Sequence, residues 1–301
     1  MTNPTPGGVY AASLTPLDPK TLRPDTDRLV AHSRWLLERG CDGLGILGTT
    51  GEANSLSVAD RRRVIEAAAA ALPPERLMPG IGSCALADAI ELGQAALEAG
   101  VRNVLCLPPF YYKPVPEAAV EAFFDRLIDG LADPNLRLYL YHFPQLTGFA
   151  FTVPMVERMI ARHGAIIAGM KDSSGVLDNM TTFARSIPGF GVFAGSEQFL
   201  LPVLEAGAVG CISATTNLTS PLAQVVYRNR SAGDQERLTA QRLAIQKYPL
   251  VAMLKGLMQR HSGDAAWAGM LPPALPMAAA DIAALGAQLE ALGIEGLKLA
   301  A

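Results

Sequence analysis

The sequence predicts an α/β fold, a (β/α)8 TIM barrel with a C-terminal helical extension. Three observations carry this expectation. A helix that ends in glycine, followed within a few residues by a short apolar strand, recurs along the chain. Leu37-Glu38-Arg39-Gly40 precedes Gly43-Leu44-Gly45-Ile46-Leu47, Leu97-Glu98-Ala99-Gly100 precedes Asn103-Val104-Leu105-Cys106-Leu107, and Leu204-Glu205-Ala206-Gly207 precedes Val209-Gly210-Cys211-Ile212-Ser213. Each glycine is placed to close its helix at the left-handed C′ position. Secondly, eight strand candidates fall at fairly even spacing and alternate with helical stretches, which means βαβ units and a parallel sheet. Thirdly, the strand signal stops near residue 231. Eight repeats in about 230 residues suit a closed barrel. An open doubly wound sheet would need fewer strands and a Gly-rich dinucleotide turn, and no GxGxxG follows the first strand.

In order, the strands are expected near 8–13, 43–47, 77–81, 103–107, 137–141, 165–170, 190–194 and 209–213. The helices between them are expected near 25–38, 57–71, 85–99, 116–131, 153–162, 176–186, 197–206 and 220–230. Ser57-Val58-Ala59-Asp60 has the form of a capping box. Pro116, Pro154 and Pro221 suit first-turn positions, where the missing N–H costs nothing. These elements make residues 1–230 the barrel and 231–301 the extension. In the extension, Asp234 to Arg260 is a long helical pattern interrupted or kinked near Pro249. Leu271-Pro272-Pro273-Ala274-Leu275-Pro276 is a loop, and Ala279 to Leu292 is a last helix. Its apolar face is expected to pack on the barrel or on another subunit.

Composition narrows the function. The chain has 301 residues, 50% of them hydrophobic, enough for a large core. A net charge of −3 leaves no electrostatic footprint for nucleic acid. The only basic cluster, Arg61-Arg62-Arg63, reads as a solvated helix face. No apolar run approaches the ~20 residues that cross a bilayer. Met1-Thr2-Asn3-Pro4 lacks the basic and apolar regions of a secretory leader, so a cytoplasmic location is expected. Cys41, Cys84, Cys106 and Cys211 form no CxxC pair and read as buried free thiols. His32, His142, His163 and His261 are scattered, without the spacing that holds zinc.

In a barrel of this kind the site lies at the carboxyl ends of the strands. The run Ala165-Ile166-Ile167-Ala168-Gly169-Met170-Lys171-Asp172-Ser173-Ser174-Gly175 reads as a strand buried on both faces that ends in Lys171. Burial and the positive end of the following helix both disfavour the ammonium form there. A neutral lysine is a nucleophile that forms a Schiff base with a ketone; the other reading is a lysine that snorkels out at a strand end. After the second strand, Gly48-Thr49-Thr50-Gly51-Glu52 offers two hydroxyls and several N–H groups between glycines. That is either a carboxylate cradle or a tight turn whose threonines cap the next helix. After the fourth strand, Pro108-Pro109-Phe110-Tyr111-Tyr112-Lys113-Pro114 displays aromatics on a stiff loop, for proton relay or for a subunit contact. In Tyr139-Leu140-Tyr141-His142-Phe143-Pro144, Tyr139 and Tyr141 point the same way by strand alternation. Tyr141 ends its strand about 5 Å from the strand that ends in Lys171. It is a core tyrosine or a proton donor and acceptor beside the amine. Together these residues suit a 2-oxo acid, with its carboxylate in the cradle and its ketone on Lys171.

The segments Gly-Thr-Thr-Gly-Glu at 48–52, Pro-Phe-Tyr-Tyr-Lys-Pro around Tyr111, Tyr-His-Phe-Pro from Tyr141 and Gly-Met-Lys-Asp around Lys171 resemble those of the dihydrodipicolinate synthase / N-acetylneuraminate lyase family of Schiff-base aldolases. The resemblance covers nearly the whole chain. It implies pyruvate, or a pyruvate-derived moiety, held as an imine on Lys171 and oriented by Thr49 and Thr50. Thr49, Tyr141 and Tyr111 would form a proton relay, with Tyr111 reaching in from a neighbouring subunit of a homotetramer made of two tight dimers. No metal or organic cofactor is implied. The candidate catalytic residues are thus Lys171, Tyr141, Thr49 and Tyr111, and the candidate substrate-binding residues are Gly48, Thr49, Thr50, Ile212 and Ser213.

The chain also departs from both named prototypes. Leu146 stands where the synthases typically carry an arginine, so a second substrate carboxylate lacks that bidentate partner. Glu197-Gln198 replaces the acidic pair of the sialic acid lyases, and their later serine aligns with Ala214, between Ser213 and Thr215. The expectation is a lyase or aldolase for a smaller 2-oxo-3-deoxy or 4-hydroxy-2-oxo acid, by cleavage or by dehydration. The alternatives are a synthase that condenses pyruvate with aspartate semialdehyde, and a non-catalytic barrel that binds an oxo acid.

Overall fold

Short apolar runs released by helix-closing glycines line up side by side. Gly40, Gly100 and Gly207 have φ of +100°, +83° and +95°, which an L side chain rarely adopts, and each turns the chain out of a helix into the next stave. The protein is described here by a computed structural model covering residues 6–294. The N-terminal segment Met1-Thr2-Asn3-Pro4 lies outside the described residues. The strands are β1 (Gly8–Ala12), β2 (Gly43–Gly45), β3 (Asn103–Cys106), β4 (Arg137–His142), β5 (Ile167–Asp172), β6 (Gly191–Ala194) and β7 (Gly210–Ser213). They pair in parallel in the order β2-β1-β7-β6-β5-β4-β3.

Residues 77–81 close the ring between β2 and β3, but not as the regular strand expected. Met78 N and Gly80 N donate to Leu44 O and Ile46 O of the β2 side at 2.9 and 2.8 Å. Across the other edge, Leu105 N donates to Pro79 O and Ile81 N to Leu105 O, both at 2.9 Å. Only the isolated bridges Leu44↔Leu77 and Gly80↔Leu105 result. Pro79 has no N–H, so a continuous ladder cannot run through the segment.

The barrel helices are α1 (Thr26–Glu38), α2 (Val58–Ala71), α3 (Leu86–Glu98), α4 (Glu117–Leu131), α5 (Pro144–Thr147), α6 (Val153–His163), α7 (Leu177–Ser186), α8 (Leu200–Glu205) and α9 (Thr216–Asn229). The extension holds α10 (Ala232–Ile245), α11 (Leu250–Ser262) and α12 (Ala279–Ala291), with a full break before Pro249. Strand alternation divides the core. Val104, Leu138, Leu140, Met170, Val192 and Cys211 face the helices. Tyr10, Met78, Leu105, Tyr139, Phe193 and Ile212 fill the barrel's interior.

Several local expectations need correction. Pro221 lies inside α9 rather than in its first turn. At the start of the helix Thr216 Oγ1 and Asn217 Nδ2 donate back to Ser213 O and Ala214 O at 2.6 and 2.7 Å, and Pro221 removes one main-chain donor from the helix interior. Arg61 is not solvated. It is 4% exposed and donates to Gly80 O and Gly82 O at 2.9 and 3.1 Å, satisfying carbonyls that the broken third stave leaves free. Burial lowers its guanidinium to about 10. Cys84 is exposed on the loop before α3, whereas Cys41, Cys106 and Cys211 are buried. Where one helix was expected at 197–206, a tight turn at Glu197–Phe199 leads into the short α8. Ser57 caps α2, with Asp60 N donating to Ser57 Oγ at 3.1 Å, but the reciprocal half of the box is replaced by a bond from Ser57 Oγ to Asp60 Oδ2 at 2.9 Å.

Candidate active site

The mouth of the barrel at the strands' carboxyl ends opens into a cavity of about 500 Å³. Its floor is set by register: Tyr141 and Lys171 are direct partners across β4 and β5. Both side chains point inward, and each residue is 4% exposed. The next residue on each strand points outward and is held there. Asp172 is fully buried and accepts from Asn179 Nδ2 of α7 at 2.6 Å and from Ser174 N at 2.8 Å. His142 Nδ1 accepts from Phe151 N at 3.2 Å, and Asn179 Nδ2 also approaches its Nε2 at 3.4 Å. Burial lowers the His142 imidazole against the opposing charge of Asp172, so the ring stays neutral and able to accept. With the outward residues pinned, pleat alternation fixes Tyr141 and Lys171 inward.

Lys171 Nζ sits 4.5 Å from the centroid of the Tyr141 ring, and Tyr141 Oη lies 3.4 Å from Thr49 Oγ1. Burial pushes the Tyr141 phenol up. The charge of Lys171 and hydrogen bonds from Thr49, Lys171 and Ser173 outweigh it, and the phenol ends below its ordinary value. A lowered phenol beside an amine can take a proton and return it.

The segment 48–52 forms the adjoining wall. Leu47 and Glu52, which flank it, have φ of +55° and +56°. Non-glycine residues in that region cost of order 1 kcal/mol or more each and persist only where neighbours over-determine them. Gly51 N and Glu52 N turn back onto Gly48 O and Thr49 O, both at 3.1 Å. Among the described residues, the N–H groups of Thr49 and Thr50 find no protein acceptor. A Cβ on Gly48 would meet only open space. Two hydroxyls and two free N–H groups at the edge of a cavity are the donor set an anion needs.

The matched family model is the dihydrodipicolinate synthetase family, over residues 5–262. The chain belongs to that family. It is 34% identical over 296 residues to an uncharacterized DapA-like lyase of Chloroflexus aurantiacus, covering 95% of this chain and 96% of that one. Dihydrodipicolinate synthase from Agrobacterium tumefaciens superposes with a TM-score of 0.88 at 27% identity, over 95% of this chain and 99% of that one. YagE from E. coli K12, a prophage protein of the dihydrodipicolinic acid synthase family in complex with pyruvate, superposes with a TM-score of 0.85 at 25% identity, again over 95% and 99%.

Within this family fold the cavity draws together Thr49, Thr50, Tyr141 and Lys171. Gly48 joins Thr49 and Tyr141 along a narrow crevice beside it. Tyr111 is not part of the cavity of its own chain. It stands 77% exposed on the β3–α4 loop, edge-on to Tyr112 with centroids 5.3 Å apart. Ile212 is packed in the barrel interior below the cavity. Ser213 donates to the buried Glu197 at 2.5 Å, and Ala214 is the residue of that loop that lines the cavity. Leu146 is half exposed, while its neighbour Gln145 lines the cavity and donates to Ser174 O at 2.5 Å.

Reading strand tips alone missed the cavity wall that the extension supplies. Arg242, on α10, lines the far wall with Gln246, Leu250 and Val251. Its Nη1 donates to Thr215 Oγ1 at 3.1 Å and to Ser213 Oγ at 3.4 Å, and lies 4.0 Å from Glu197 Oε2. Glu197 is fully buried and also accepts from Thr215 and from Thr219, the latter at 2.7 Å. The only sequence signal was an arginine on the inner face of an extension helix. Among the described residues no three His, Cys, Asp or Glu side chains converge as metal ligands would, and no helix is long and apolar enough to cross a membrane.

Proposed function

We propose that the protein is a lyase that holds a 2-oxo acid, pyruvate or a longer homologue, as an imine on Lys171. The observation that carries this reading is the buried Lys171 Nζ, 4.5 Å from the Tyr141 ring, in a cavity that also holds Thr49 and Thr50. In this reading the substrate carboxylate sits on the hydroxyls and free N–H groups of Thr49 and Thr50. The Lys171 amine attacks the ketone carbon, and its proton passes to Tyr141. Tyr141, relayed by Thr49, returns that proton to the ketone oxygen to form the carbinolamine, and a second proton taken from solvent along the same relay lets the hydroxyl leave as water and gives the protonated imine. That imine is an electron sink. Loss of the C4 hydroxyl proton breaks the C3–C4 bond and releases an aldehyde, and the enamine takes a proton at C3. Water then frees pyruvate and the amine. Loss of a C3 proton from the intact imine, followed by departure of the C4 hydroxyl as water, would give dehydration instead. Tyr111 completes the relay from a neighbouring subunit in the homotetramer we propose, whose catalytic unit is the barrel of residues 1–230.

The cavity is larger than pyruvate needs, and its far side is polar, with Gln145, Gln198, Arg242 and Gln246. This supports a 2-oxo-3-deoxy or 4-hydroxy-2-oxo acid whose distal end carries hydroxyl or anionic groups. A second reading, condensation of pyruvate with aspartate semialdehyde, gains support from Arg242. That guanidinium could meet a second carboxylate in place of the arginine that Leu146 replaces. Borohydride reduction in the presence of pyruvate is the test. The expected product is a mass adduct on the Lys171 peptide, lost in Lys171→Ala, which folds but does not turn over. A wild-type enzyme that yields no adduct at neutral pH would overturn the reading. Pyruvate release from a panel of 2-oxo-3-deoxy acids, run beside the aspartate semialdehyde assay, separates the two substrates.

A further inference from the structure

The cradle at 48–52 is held from outside as well as by its own turn bonds. Its last residue, Glu52, is 9% exposed, and its carboxylate reaches away from the cavity into the helical extension. Glu52 Oε1 accepts from Lys255 Nζ of α11, and Glu52 Oε2 accepts from Leu271 N at 2.9 Å. Lys255 is 1% exposed and donates a second bond to Gly269 O at 2.8 Å. Neither residue lines the cavity. On the barrel side, Thr15 Oγ1 donates to Gly51 O at 2.9 Å. Glu52 also occupies a left-handed backbone conformation, at φ +56°, that its own chemistry does not favour. Its side-chain anchors therefore tie the turn that carries Thr49 and Thr50 to the helical extension.

We infer that Glu52 and Lys255 are positioning residues, through which the C-terminal extension sets the carboxylate cradle against the Lys171 amine. The inference rests on the imine reading above. A buried ion pair can also be a simple cross-link between barrel and extension, and the two roles separate by experiment. Removing one partner strands a buried charge and destabilises the fold, but replacing both by uncharged groups of similar size is often neutral. The double variant Glu52→Gln/Lys255→Met keeps an acceptor for Leu271 N and removes both charges.

In wild type and double variant, the pyruvate dependence of borohydride trapping at Lys171 and the KM and kcat with a turned-over 2-oxo acid are measured beside Tm. A positioning role raises the half-saturating pyruvate concentration by about 10-fold or more and raises KM by more than it lowers kcat, because a misplaced cradle loses ground-state grip on the carboxylate. Lys255→Arg, which keeps the charge, restores part of that loss. A folded double variant with wild-type pyruvate dependence overturns the inference. If that double variant does not fold, Glu52→Gln/Lys255→Gln, which also removes both charges and keeps a donor facing Gly269 O, is read in the same way, and an unshifted half-saturation there overturns it too. Absence of any adduct in the wild-type enzyme is a different outcome, which removes the imine reading and this inference with it.

Discussion

Tyr141→Phe isolates the proposed relay from the packing around it. Phenylalanine keeps the ring that stacks on Phe143 at 5.8 Å and that faces Lys171 Nζ at 4.5 Å. Only the hydroxyl is lost, with its 3.4 Å contact to Thr49 Oγ1 and its bonds with Lys171 and Ser173. A buried neutral hydrogen bond of that length contributes about 1 kcal/mol to stability, so the fold should survive with a small drop in Tm. A positioned proton donor and acceptor contributes about 10²–10⁴ in rate, equivalent to about 3–5 kcal/mol in the barrier. The expected result is a variant that folds, binds pyruvate and loses turnover by two orders of magnitude or more. In the wild type, an inflection in kcat/KM belongs to the Tyr141 phenol, below its ordinary 10.0, and it should vanish in the variant. Steady-state kinetics over pH, with borohydride trapping rates alongside, measures both. A turnover within about fivefold of wild type would refute the relay.

Two further outcomes follow from other parts of the molecule. Arg242→Gln should raise KM about 10–100-fold for a 2-oxo acid with a distal anionic group, by loss of a charge-assisted contact. It should leave half-saturation by pyruvate itself nearly unchanged, and comparing the two substrates checks this. His32 is fully buried against Trp35 and Trp267 and bonds Asn217 Oδ1 at 2.9 Å. Burial lowers its imidazole from 6.5 to about 4, against the Asn217 bond that favours protonation. Between those values the unfolded chain binds the proton and the folded chain does not. Its contribution is therefore complete above pH 6.5 and is lost as pH falls through that window, by about 3 kcal/mol at pH 4. Denaturant titrations of wild type and His32→Gln at pH 7.5 and 4 should show that much less acid destabilisation in the variant.

The elements whose signal is local were legible in the sequence. Gly40, Gly100 and Gly207 end helices because only their φ allows the turn, and the apolar runs after them have nowhere to go but the sheet. Tyr141 and Lys171 could be placed together because both end adjacent strands and alternation is strict. What escaped depends on contacts far apart in the chain. Pro79 reads as part of an apolar run, and only its neighbours reveal that the ladder fails there. Arg61 reads as one of three surface arginines until the carbonyls of Gly80 and Gly82 come to it. Arg242 belongs to a segment with no strand to point it at the site, so nothing local marks it as a cavity residue. Ser213 reads as a free hydroxyl at a strand tip, but Glu197, 16 residues earlier, claims it.

The stave at 77–81 gives the cylinder a seam. Between the named strands the wall is laced by parallel ladders, but here it is joined by a few stitches on either side of a proline. Gly80 stands at that seam so close to the β2 tip that a Cβ would lie 2.2 Å from Leu47 O. Leu47, at φ +55°, is the residue from which the threonine loop departs. The stretch of wall that backs the threonine loop thus depends on a handful of main-chain bonds, whereas the amine sits between the β4 and β6 ladders.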